Sequence, residues 1–396
     1  MKIVLLTKRT RAHGFGGVEA YVHNVARAAV ELGHEVVVLA TAHPGGLGAE
    51  RTDGYRIEYV GGTEAGVYSA AFWRQSAAAV RAHAPYDLLY STNLAGYGAA
   101  IAGVPGPHVA WCTGRTLAHL RSEWHDRAGL RARAGYPKAA LALLYYAWVE
   151  RRLHRRVDGL IVEDVATHEA LRRGPCPVRL VHSGVDTARF TADARRRREA
   201  RAALAIPSDA DVVMMAATLN RQKGVAVGVE AFRRLAGARP RLHLVVVGDG
   251  PERARLAALA RDQAGGARVR FTGDVAEADM PRHYAAADIF LYPTLRVEGM
   301  PRAILEAMST GLAVVASDRG GIRTAIRDGH TGVLLAWPSA ELLATATARL
   351  LDDHARRAAL GQRAAAVARD QFDLGATVAT LLGMMGAPGM VERGRA

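Results

Sequence analysis

Cysteine is nearly absent from this chain of 396 residues, which contains only Cys112 and Cys176. Two cysteines are too few for a disulfide framework or a zinc site, so we expect a reducing, cytoplasmic setting and no bound metal. Long apolar runs are also missing. The longest candidate, residues 139–149, has 11 residues, whereas a membrane-spanning helix needs roughly 20. The first ten residues contain one short apolar run before polar residues, which favours a first β-strand over a signal peptide.

Lysine and aromatic residues are scarce as well. Of the 52 basic residues 4 are lysine and 48 are arginine, and the net charge is +14. Such a charge suits nucleic acid, an anionic membrane surface or an acidic ligand, but an Arg-, Ala- and Gly-rich composition is typical of GC-rich coding, which places arginine on surfaces without a partner. An aromatic content of 6% and the lack of a nucleic-acid-binding motif argue against a nucleic-acid partner.

The length and the order of apolar segments predict two domains of the α/β class. Half of the residues are hydrophobic, so each domain can bury a core. Short apolar runs alternate with helical patterns, which indicates doubly wound parallel sheets. We predict strands at residues 3–6, 34–40, 55–60, 87–90, 159–162, 178–182, 212–217, 242–247, 288–292 and 312–316. In such sheets ligands bind at the carboxyl ends of the strands.

Residues 288–335 contain the most informative pattern, a strand, a loop, a helix and a strand. Pro301, a residue favoured at the first helical position, predicts the start of the helix. The preceding loop contains Gly299 and Met300. Because a helix start presents unpaired N–H groups and partial positive charge, and a glycine permits close approach, this loop suits an anion such as a diphosphate.

Two carboxylates flank this predicted anion site, Glu298 in the loop and Glu306 in the helix. A carboxylate repels phosphate but accepts hydrogen bonds from hydroxyl groups. We therefore expect one glutamate to hold sugar hydroxyls and the other to hold a ribose diol. The alternative is a surface helix that carries two solvated glutamates.

The two glutamates separated by seven residues in EGMPRAILEAMSTG, followed by DRGGIRT and IRDGHTGVLL, resemble glycosyltransferase family 4. This family contains retaining nucleotide-sugar transferases of the GT-B fold, in which two Rossmann-like doubly wound parallel-sheet domains face an interdomain cleft. The resemblance implies an acceptor-binding domain in residues 1–185 and a nucleotide-sugar-binding domain in residues 186–370. It also implies that residues 371–396 cross back to the first domain.

The resemblance assigns donor-side roles in the second domain. Glu298 contacts the transferred sugar, Glu306 binds the donor ribose, and Gly299, Met300 and Pro301 present the helix start to the donor. Gly248 supports the nucleotide, and Val275 flanks its base.

Two cations follow the first strand of the second domain. Arg221 and Lys223 lie in the loop TLNRQKG, where cations neutralise a diphosphate and stabilise it as a leaving group. Lys223 is notable because arginine is twelve times more frequent in this chain. Two solvated charges in a polar loop are the alternative. We group Lys223, Arg221 and Glu298 as the candidate catalytic residues.

A second glycine loop, GFGGVE, follows the first strand. Nicotinamide dinucleotides bind to loops of the pattern G-x-G-x-x-G. The position of the third glycine is occupied by Glu19 in this loop and by Arg253 in the loop GDGPER, so binding of such a dinucleotide is disfavoured. In the resemblance Gly16 and Gly17 face the donor diphosphate and Glu19 faces the acceptor. A plain tight turn is the alternative interpretation of this loop.

This sequence departs from the family at three places. Thr218 stands where many members have arginine, so Arg221 is a candidate replacement for that charge. Thr324 stands where many have glutamate. No histidine occurs at residues 111–113, where many members have one facing the sugar, since His108 is too early and His119 too late. We assign no catalytic histidine.

Residues 115–156 carry ten basic and three acidic side chains. Residues 136–156 are apolar on one side and end in a basic cluster, a pattern that fits an anionic membrane at the inner face. It also fits a helix packed on the core with a solvated arginine face.

The sequence thus predicts a retaining, metal-independent glycosyltransferase that uses a uridine or guanosine diphosphate sugar and a hydroxyl acceptor, without a separate cofactor. A GT-B nucleotide-sugar epimerase or hydrolase is one alternative. A basic nucleic-acid-binding protein is another, and it rests on charge alone.

Overall fold

The computed structural model describes residues 1–14, 16–113, 136–261 and 266–385, with side chains from residue 140 in the third range. The chain divides into two compact units. Unit 1 contains Met1–Ser183 and the chain from Leu374 onward, and unit 2 contains Gly184–Asp373. We predicted the division after residue 185 and a separate final segment from residue 371. At the observed boundaries Val185 pairs with Asp373 in a parallel bridge, so the chain enters and leaves unit 2 at adjacent points.

Unit 1 is built on an eight-stranded sheet. Its strands are β1 (Lys2–Leu6), β2 (Glu35–Ala40), β3 (Ala49–Thr52), β4 (Tyr55–Tyr59), β5 (Leu88–Thr92), β6 (His108–Cys112), β7 (Gly159–Val162) and β8 (Val178–Leu180). Their order is β3-β4-β2-β1-β5-β6-β7-β8. All neighbouring pairs are parallel except β3 and β4.

The antiparallel β3–β4 pair is a hairpin that the sequence pattern did not predict. Its turn residues Asp53 and Gly54 have φ of 44° and 83°, as in the two-residue turns that match the twist of paired strands. Strand β3 reads AERT and is at most half-buried, so it lacks the apolar residues by which the ten predicted strands were recognised.

The described residues of unit 1 contain five α-helices before its last strand. They are α1 (Gly17–Glu31), α2 (Ala70–Ala82), α3 (Tyr97–Ile101), α4 (Tyr136–His154) and α5 (Val165–Leu171). Helix α1 begins directly after the glycine loop, at Gly17, and its residues Val22, Val25 and Ala29 are buried against the sheet.

Unit 2 contains a six-stranded sheet in which every neighbouring pair is parallel. The strands are β9 (Asp211–Ala216), β10 (Leu242–Val247), β11 (Val269–Gly273), β12 (Ile289–Tyr292), β13 (Ala313–Ser317) and β14 (Val333–Leu335). Their order, β11-β10-β9-β12-β13-β14, reverses direction between β9 and β12, and ligands of doubly wound sheets bind at such a switch point. Both faces of the central strands are buried, which explains their continuous apolar runs.

In the part of unit 2 that the structure describes, eight α-helices cover this second sheet. They are α6 (Ala194–Ala203), α7 (Val225–Ala236), α8 (Arg253–Arg261), α9 (Met280–Ala286), α10 (Arg302–Ser309), α11 (Ile322–Ala325), α12 (Ala340–Asp352) and α13 (His354–Gln371). One detail of our prediction was wrong. Pro301 has extended backbone angles and precedes the first helical residue of α10, because the loop before the helix is still extended there.

The final helix α14 (Leu374–Met385) returns to unit 1. Its residues Val378, Leu381 and Met385 are buried in the same cluster as Ile3 and Val25. The apolar segment at the end of the chain therefore completes the core of unit 1. Residues 386–396, the remainder of the predicted crossing segment, lie outside the described residues.

Helix α4 has two different apolar faces. Val149 and Leu153 are fully buried, whereas Leu144 and Trp148 on another face are about half exposed. The rest of the basic region that we singled out, residues 115–135, lies outside the described residues. None of the described helices is both long enough and apolar enough to cross a membrane.

Candidate functional site

The site in unit 2 begins where β9 and β12 end, at the switch point of the sheet. The loop after β9 contains a 3₁₀ turn, Arg221–Lys223, whose start is capped by the Asn220 side chain. The loop after β12 leads to Glu298. Although Lys223 and Glu298 are 75 residues apart, the lysine Nζ donates to Glu298 Oε1 at 2.7 Å. The structure thus brings two of the three candidate catalytic residues into contact.

Glu298 is held by neighbours that the sequence did not single out. Its side chain is 7% exposed, and Oε1 also accepts a hydrogen bond from the Thr294 hydroxyl at 3.1 Å. The Arg296 Nε lies 3.3 Å from the same oxygen. Lys223 Nζ donates a second hydrogen bond, to the Tyr292 hydroxyl at 3.0 Å. These contacts hold the buried carboxylate between two cations and orient it for a hydroxyl group.

The pair of glycines after β13 supports the loop that carries Glu298. The Gly321 N–H donates to the Glu298 carbonyl oxygen at 2.9 Å. A β-carbon on Gly320, which has φ of 61°, would overlap that same carbonyl oxygen. Close backbone packing therefore requires a glycine at 320, whereas residue 321 contributes its N–H group.

The start of α10 lies directly beyond Glu298. Gly299 is half-buried and the Met300 side chain is 5% exposed within the core. Neither N–H group donates to any residue that the structure describes. Pro301 contributes no N–H, and the first N–H groups of α10 have no partner within the helix. The loop and helix start thus offer several donors and the positive end of the helix dipole to an anion.

Glu306 lies one and a half turns into α10 and is 7% exposed. Arg302 Nη2 lies 3.2 Å from its Oε1, and the nearby Tyr284 hydroxyl donates to the Ala303 carbonyl oxygen at 3.3 Å. Burial raises the pKa of Glu306 above its ordinary value, and the Arg302 guanidinium opposes that rise. The structure does not bring Glu306 into contact with Glu298 or Lys223.

Arg302 also links Glu306 to the segment after β11. Its Nη2 lies 3.5 Å from Glu277 Oε1, and Arg189 lies 3.8 Å from the same oxygen. Val275, two residues before Glu277, is half-buried and packs on the core of unit 2. The predicted base-flanking segment is therefore joined to the predicted ribose-binding glutamate through one arginine.

Arg221 and Gly248 have surroundings that the sequence did not foresee. The Arg221 side chain is 65% exposed, and its Nε lies 4.0 Å from Glu252, so it does not join the pair formed by Lys223 and Glu298. Gly248 has φ of 116° and its N–H donates to the Gly273 carbonyl oxygen at 2.9 Å. A β-carbon there would collide with the Ala217 carbonyl oxygen. Packing between strands accounts for this glycine.

The second part of the predicted site belongs to unit 1. Gly16 precedes the first helical residue, Gly17, of α1, and a β-carbon on Gly16 would collide with the Glu19 carboxylate. Glu19 is buried and its Oε1 lies 3.1 Å from Arg9 Nε. Gly17 is exposed, with open space beside its α-carbon.

The strand end at which many family members carry histidine is occupied by a stacked aromatic pair. The Trp111 and Tyr21 rings are parallel, with centroids 3.8 Å apart, and the Tyr21 and Tyr90 hydroxyls lie 2.6 Å apart. Within the described ranges, no group of three or more His, Cys, Asp or Glu side chains is placed to hold a metal ion.

The sequence matches two family models. The model described as glycosyl transferases group 1 matches residues 196–367, and the model described as Glycosyltransferase Family 4 matches residues 15–189. A D-inositol 3-phosphate glycosyltransferase from Kineococcus radiotolerans is 30% identical over 406 residues, which covers 93% of this chain and 89% of the relative. The chain belongs to glycosyltransferase family 4, and the predicted family and enzyme class are confirmed.

Two further similarities bear on the fold and on the donor. A GDP-mannose-dependent alpha-(1-6)-phosphatidylinositol monomannoside mannosyltransferase from Mycobacterium tuberculosis is 36% identical over 188 residues, 45% of this chain and 48% of the relative. The match thus spans about half the length of that relative. Sucrose-phosphate synthase from Thermosynechococcus elongatus has a TM-score of 0.80 at 21% identity and covers 97% of this chain and 98% of its own. The structure therefore confirms the predicted GT-B fold class, with two Rossmann-like units.

Proposed function

We propose that this chain transfers a sugar from a nucleoside diphosphate sugar to an acceptor hydroxyl, with retention of the anomeric configuration and without a metal ion. The observation that carries the proposal is the 2.7 Å contact of Lys223 Nζ with Glu298, beside a helix start with unpaired N–H groups. A cation and a positive helix end are the groups that stabilise a departing diphosphate. The neighbouring carboxylate is suited to the hydroxyls of the transferred sugar.

The roles of the other residues follow from their chemistry. Gly299, Met300 and the start of α10 after Pro301 bind the diphosphate, and Arg221 meets its outer oxygens from the solvent side. Glu306 accepts hydrogen bonds from the ribose hydroxyls once the Arg302 guanidinium moves away from its carboxylate. Gly248 and Val275 support the nucleotide, while Gly16 and Gly17 in unit 1 face the diphosphate and Glu19 faces the acceptor.

No protein carboxylate needs to attack the sugar in this scheme. The acceptor hydroxyl attacks on the face from which the diphosphate leaves, and the charge that develops on the leaving oxygens is met by Lys223 and backbone N–H groups. Guanosine and uridine diphosphate sugars are the first donors to test. GDP-mannose comes first because the Mycobacterium tuberculosis relative is named for it.

Two variants test the donor site. Lys223→Ala and Glu306→Ala should each lower donor turnover by about tenfold or more, whereas Arg255→Ala, which removes an exposed cation of the same unit, should not. Unchanged kinetics in both site variants would refute the proposal. Undiminished turnover after EDTA treatment supports metal independence, and loss of turnover refutes it. Isomerisation or hydrolysis of the donor, with no acceptor product, would instead indicate an epimerase or hydrolase.

We also propose that α4 rests on an anionic membrane at the cytoplasmic face. Four of its apolar side chains are about half exposed or more and recur at the spacing of one helix face: Leu141, Leu144, Tyr145 and Trp148. Four arginines follow within eight residues: Arg151, Arg152, Arg155 and Arg156. An apolar stripe that ends in a basic cluster complements a surface of anionic lipid.

Vesicle sedimentation tests this contact. The full chain should sediment with vesicles that contain phosphatidylglycerol and less with pure phosphatidylcholine, and Leu144→Glu should weaken binding by about tenfold. Leu342→Glu is the matched control, because Leu342 is a similarly exposed leucine on a helix of unit 2. No binding at moderate salt, or equal loss in both variants, would refute the membrane contact without affecting the assignment of glycosyl transfer.

A further inference from the structure

Unit 1 contains a cavity of about 360 Å³ that the donor site does not use. It lies between α1, the turn Arg11–His13 and the β3–β4 hairpin. Its polar lining includes Thr10, Glu19, His23, His43, Glu50 and Thr52. The volume falls within the range of roughly 300 to 1,000 Å³ that is typical of small-molecule sites.

The hairpin provides one wall because of its strand register. Glu50 pairs with Ile57 and Thr52 pairs with Tyr55. Residues two apart in a strand point to the same face, so these four side chains lie on one side of the hairpin, the side that lines the cavity. Glu58, one residue out of phase, instead pairs with His83 at 2.9 Å.

Each of the two carboxylates in the lining has one oxygen engaged. Glu50 Oε1 accepts the Tyr59 hydroxyl at 2.5 Å, and Glu19 Oε1 pairs with Arg9 at 3.1 Å. The second oxygen of each receives no hydrogen bond from the described part of the chain. Both carboxylates are thus oriented by the protein and retain capacity to accept hydrogen bonds.

The histidines supply donors beside these acceptors. The Gly45 N–H donates to His43 Nδ1 at 2.8 Å, so in neutral His43 the proton resides on Nε2, which is a donor. His23 Nδ1 lies 2.7 Å from the Tyr55 hydroxyl, and its Nε2 lies 3.6 Å from Asp53 at the hairpin turn. These contacts hold the wall of the cavity to α1.

The chemistry of this lining selects one class of ligand. Carboxylate acceptors and the His43 Nε2 donor lie beside an apolar floor that includes Val22, Val38 and Ile57. A polyhydroxyl ring needs both acceptors and donors around its edge and an apolar surface against its face. Two carboxylates, Glu19 and Glu50, against the single arginine of the lining, Arg11, disfavour a phosphate group.

The geometry points to this cavity as a subsite for a sugar or cyclitol ring of the acceptor, with Glu50 as its main specificity-determining residue. The inference rests on the proposed glycosyl transfer and extends its acceptor side from Glu19 to the β3–β4 hairpin. The ring binds by donating its hydroxyl protons to Glu50 and Glu19 and by accepting from His43. No covalent step takes place there.

Ligand-observed NMR and calorimetry with the full chain test the subsite directly. The probes are methyl α-mannopyranoside, methyl α-glucopyranoside and myo-inositol. We expect at least one to bind, and Glu50→Gln to weaken it about fivefold or more through loss of a charged acceptor. Thr52→Val, which keeps the shape and strand preference of the side chain, should weaken the same probe. Glu58→Gln, on the opposite face of the hairpin, should bind as the unmodified chain does.

The transfer reaction supplies the second readout. With a glycoside acceptor that contains the bound ring, Glu50→Gln should raise the acceptor KM about fivefold and leave kcat and the donor KM within twofold. Binding of no probe, equal binding by Glu50→Gln and Glu58→Gln, or an unchanged acceptor KM would overturn the subsite. Titration with GDP and UDP in the same samples separates the two proposals. Binding of nucleotide without binding of any ring would refute only the subsite. Failure both to bind nucleotide and to consume donor would refute the proposed function.

Discussion

The contact between Lys223 and Glu298 permits a quantitative prediction from a double-mutant cycle. The pair is 2.7 Å apart, and its side chains are 18% and 7% exposed. Removing one partner of a buried ion pair costs roughly 3 to 5 kcal/mol. In Lys223→Met the carboxylate keeps its contacts with Thr294 and Arg296, so we expect a smaller loss, about 2 kcal/mol. In Glu298→Gln the lysine keeps the Tyr292 hydroxyl, and we expect about 1 kcal/mol.

The double variant should lose less stability than the sum of the two single variants. Once Lys223 is gone, replacing Glu298 removes a buried charge that has become poorly compensated, so a coupling of about 1 to 2 kcal/mol is expected. Urea unfolding gives the three free energies of unfolding relative to the unmodified chain. Arg255→Met is the control, because its ion pair with Glu252 is exposed and should contribute less than about 1 kcal/mol.

Nucleotide affinity separates the two roles within the pair. Calorimetry with GDP and UDP should show about tenfold weaker binding in Lys223→Met, because a charge-assisted contact to the diphosphate is lost. Glu298→Gln should change diphosphate affinity less than about threefold and still lower sugar transfer at least tenfold, since we propose that its carboxylate binds the sugar hydroxyls. Additive losses of stability, together with unchanged diphosphate affinity in Lys223→Met, would refute this reasoning.

Three further predictions concern pH and backbone packing. Burial raises the pKa of Glu306, so the native state binds more protons than the unfolded state. The contribution of this group to stability is present below the ordinary glutamate pKa and is lost as pH rises through the raised pKa. The free energy of unfolding, measured with urea between pH 4 and 8, should therefore fall as pH rises, and Glu306→Gln should remove that slope. Burial lowers the pKa of His108 to about 3, so the free energy of unfolding should fall as pH drops below 6.5, by up to about 1.4 kcal/mol per pH unit. His108→Gln should flatten that slope, and equal slopes in the variant and the unmodified chain would contradict the prediction. Gly248→Ala should cost at least about 2 kcal/mol, because it strains a residue with positive φ and meets a carbonyl oxygen, whereas Gly237→Ala, with open space, should be neutral or slightly stabilising in the same melts.

Local sequence determined the class of fold and much of the donor site. Continuous apolar runs identified the central strands because both faces of a parallel strand are buried. The helix at residues 302–309 and the glutamates that flank its start were recognised because a loop and the helix that follows it are adjacent in sequence. Interactions over a few residues suffice for such features, and the sequence displays them directly.

The partners of these residues were decided only by tertiary structure. Arg302 was not recognised as a partner of Glu306, nor Arg296 as a partner of Glu298, because arginine is common throughout this chain and carries no signal of its own. Lys223 was singled out by its rarity, yet its partner lies 75 residues away. No spacing rule connects such residues, since the order of strands in the sheet sets their distance.

The same reason explains the acceptor-side cavity and the final helix. Strand β3 has no apolar pattern, so the hairpin that forms the cavity wall is stabilised by its turn and by pairing with β4 rather than by local preference. The family resemblance implied that residues 371–396 return to the first domain, but the place of α14 against α1 depends on the chain leaving unit 2 beside Val185. Sequence determined which segments are buried and which loops can bind an anion, and the packing of distant elements determined which side chains meet.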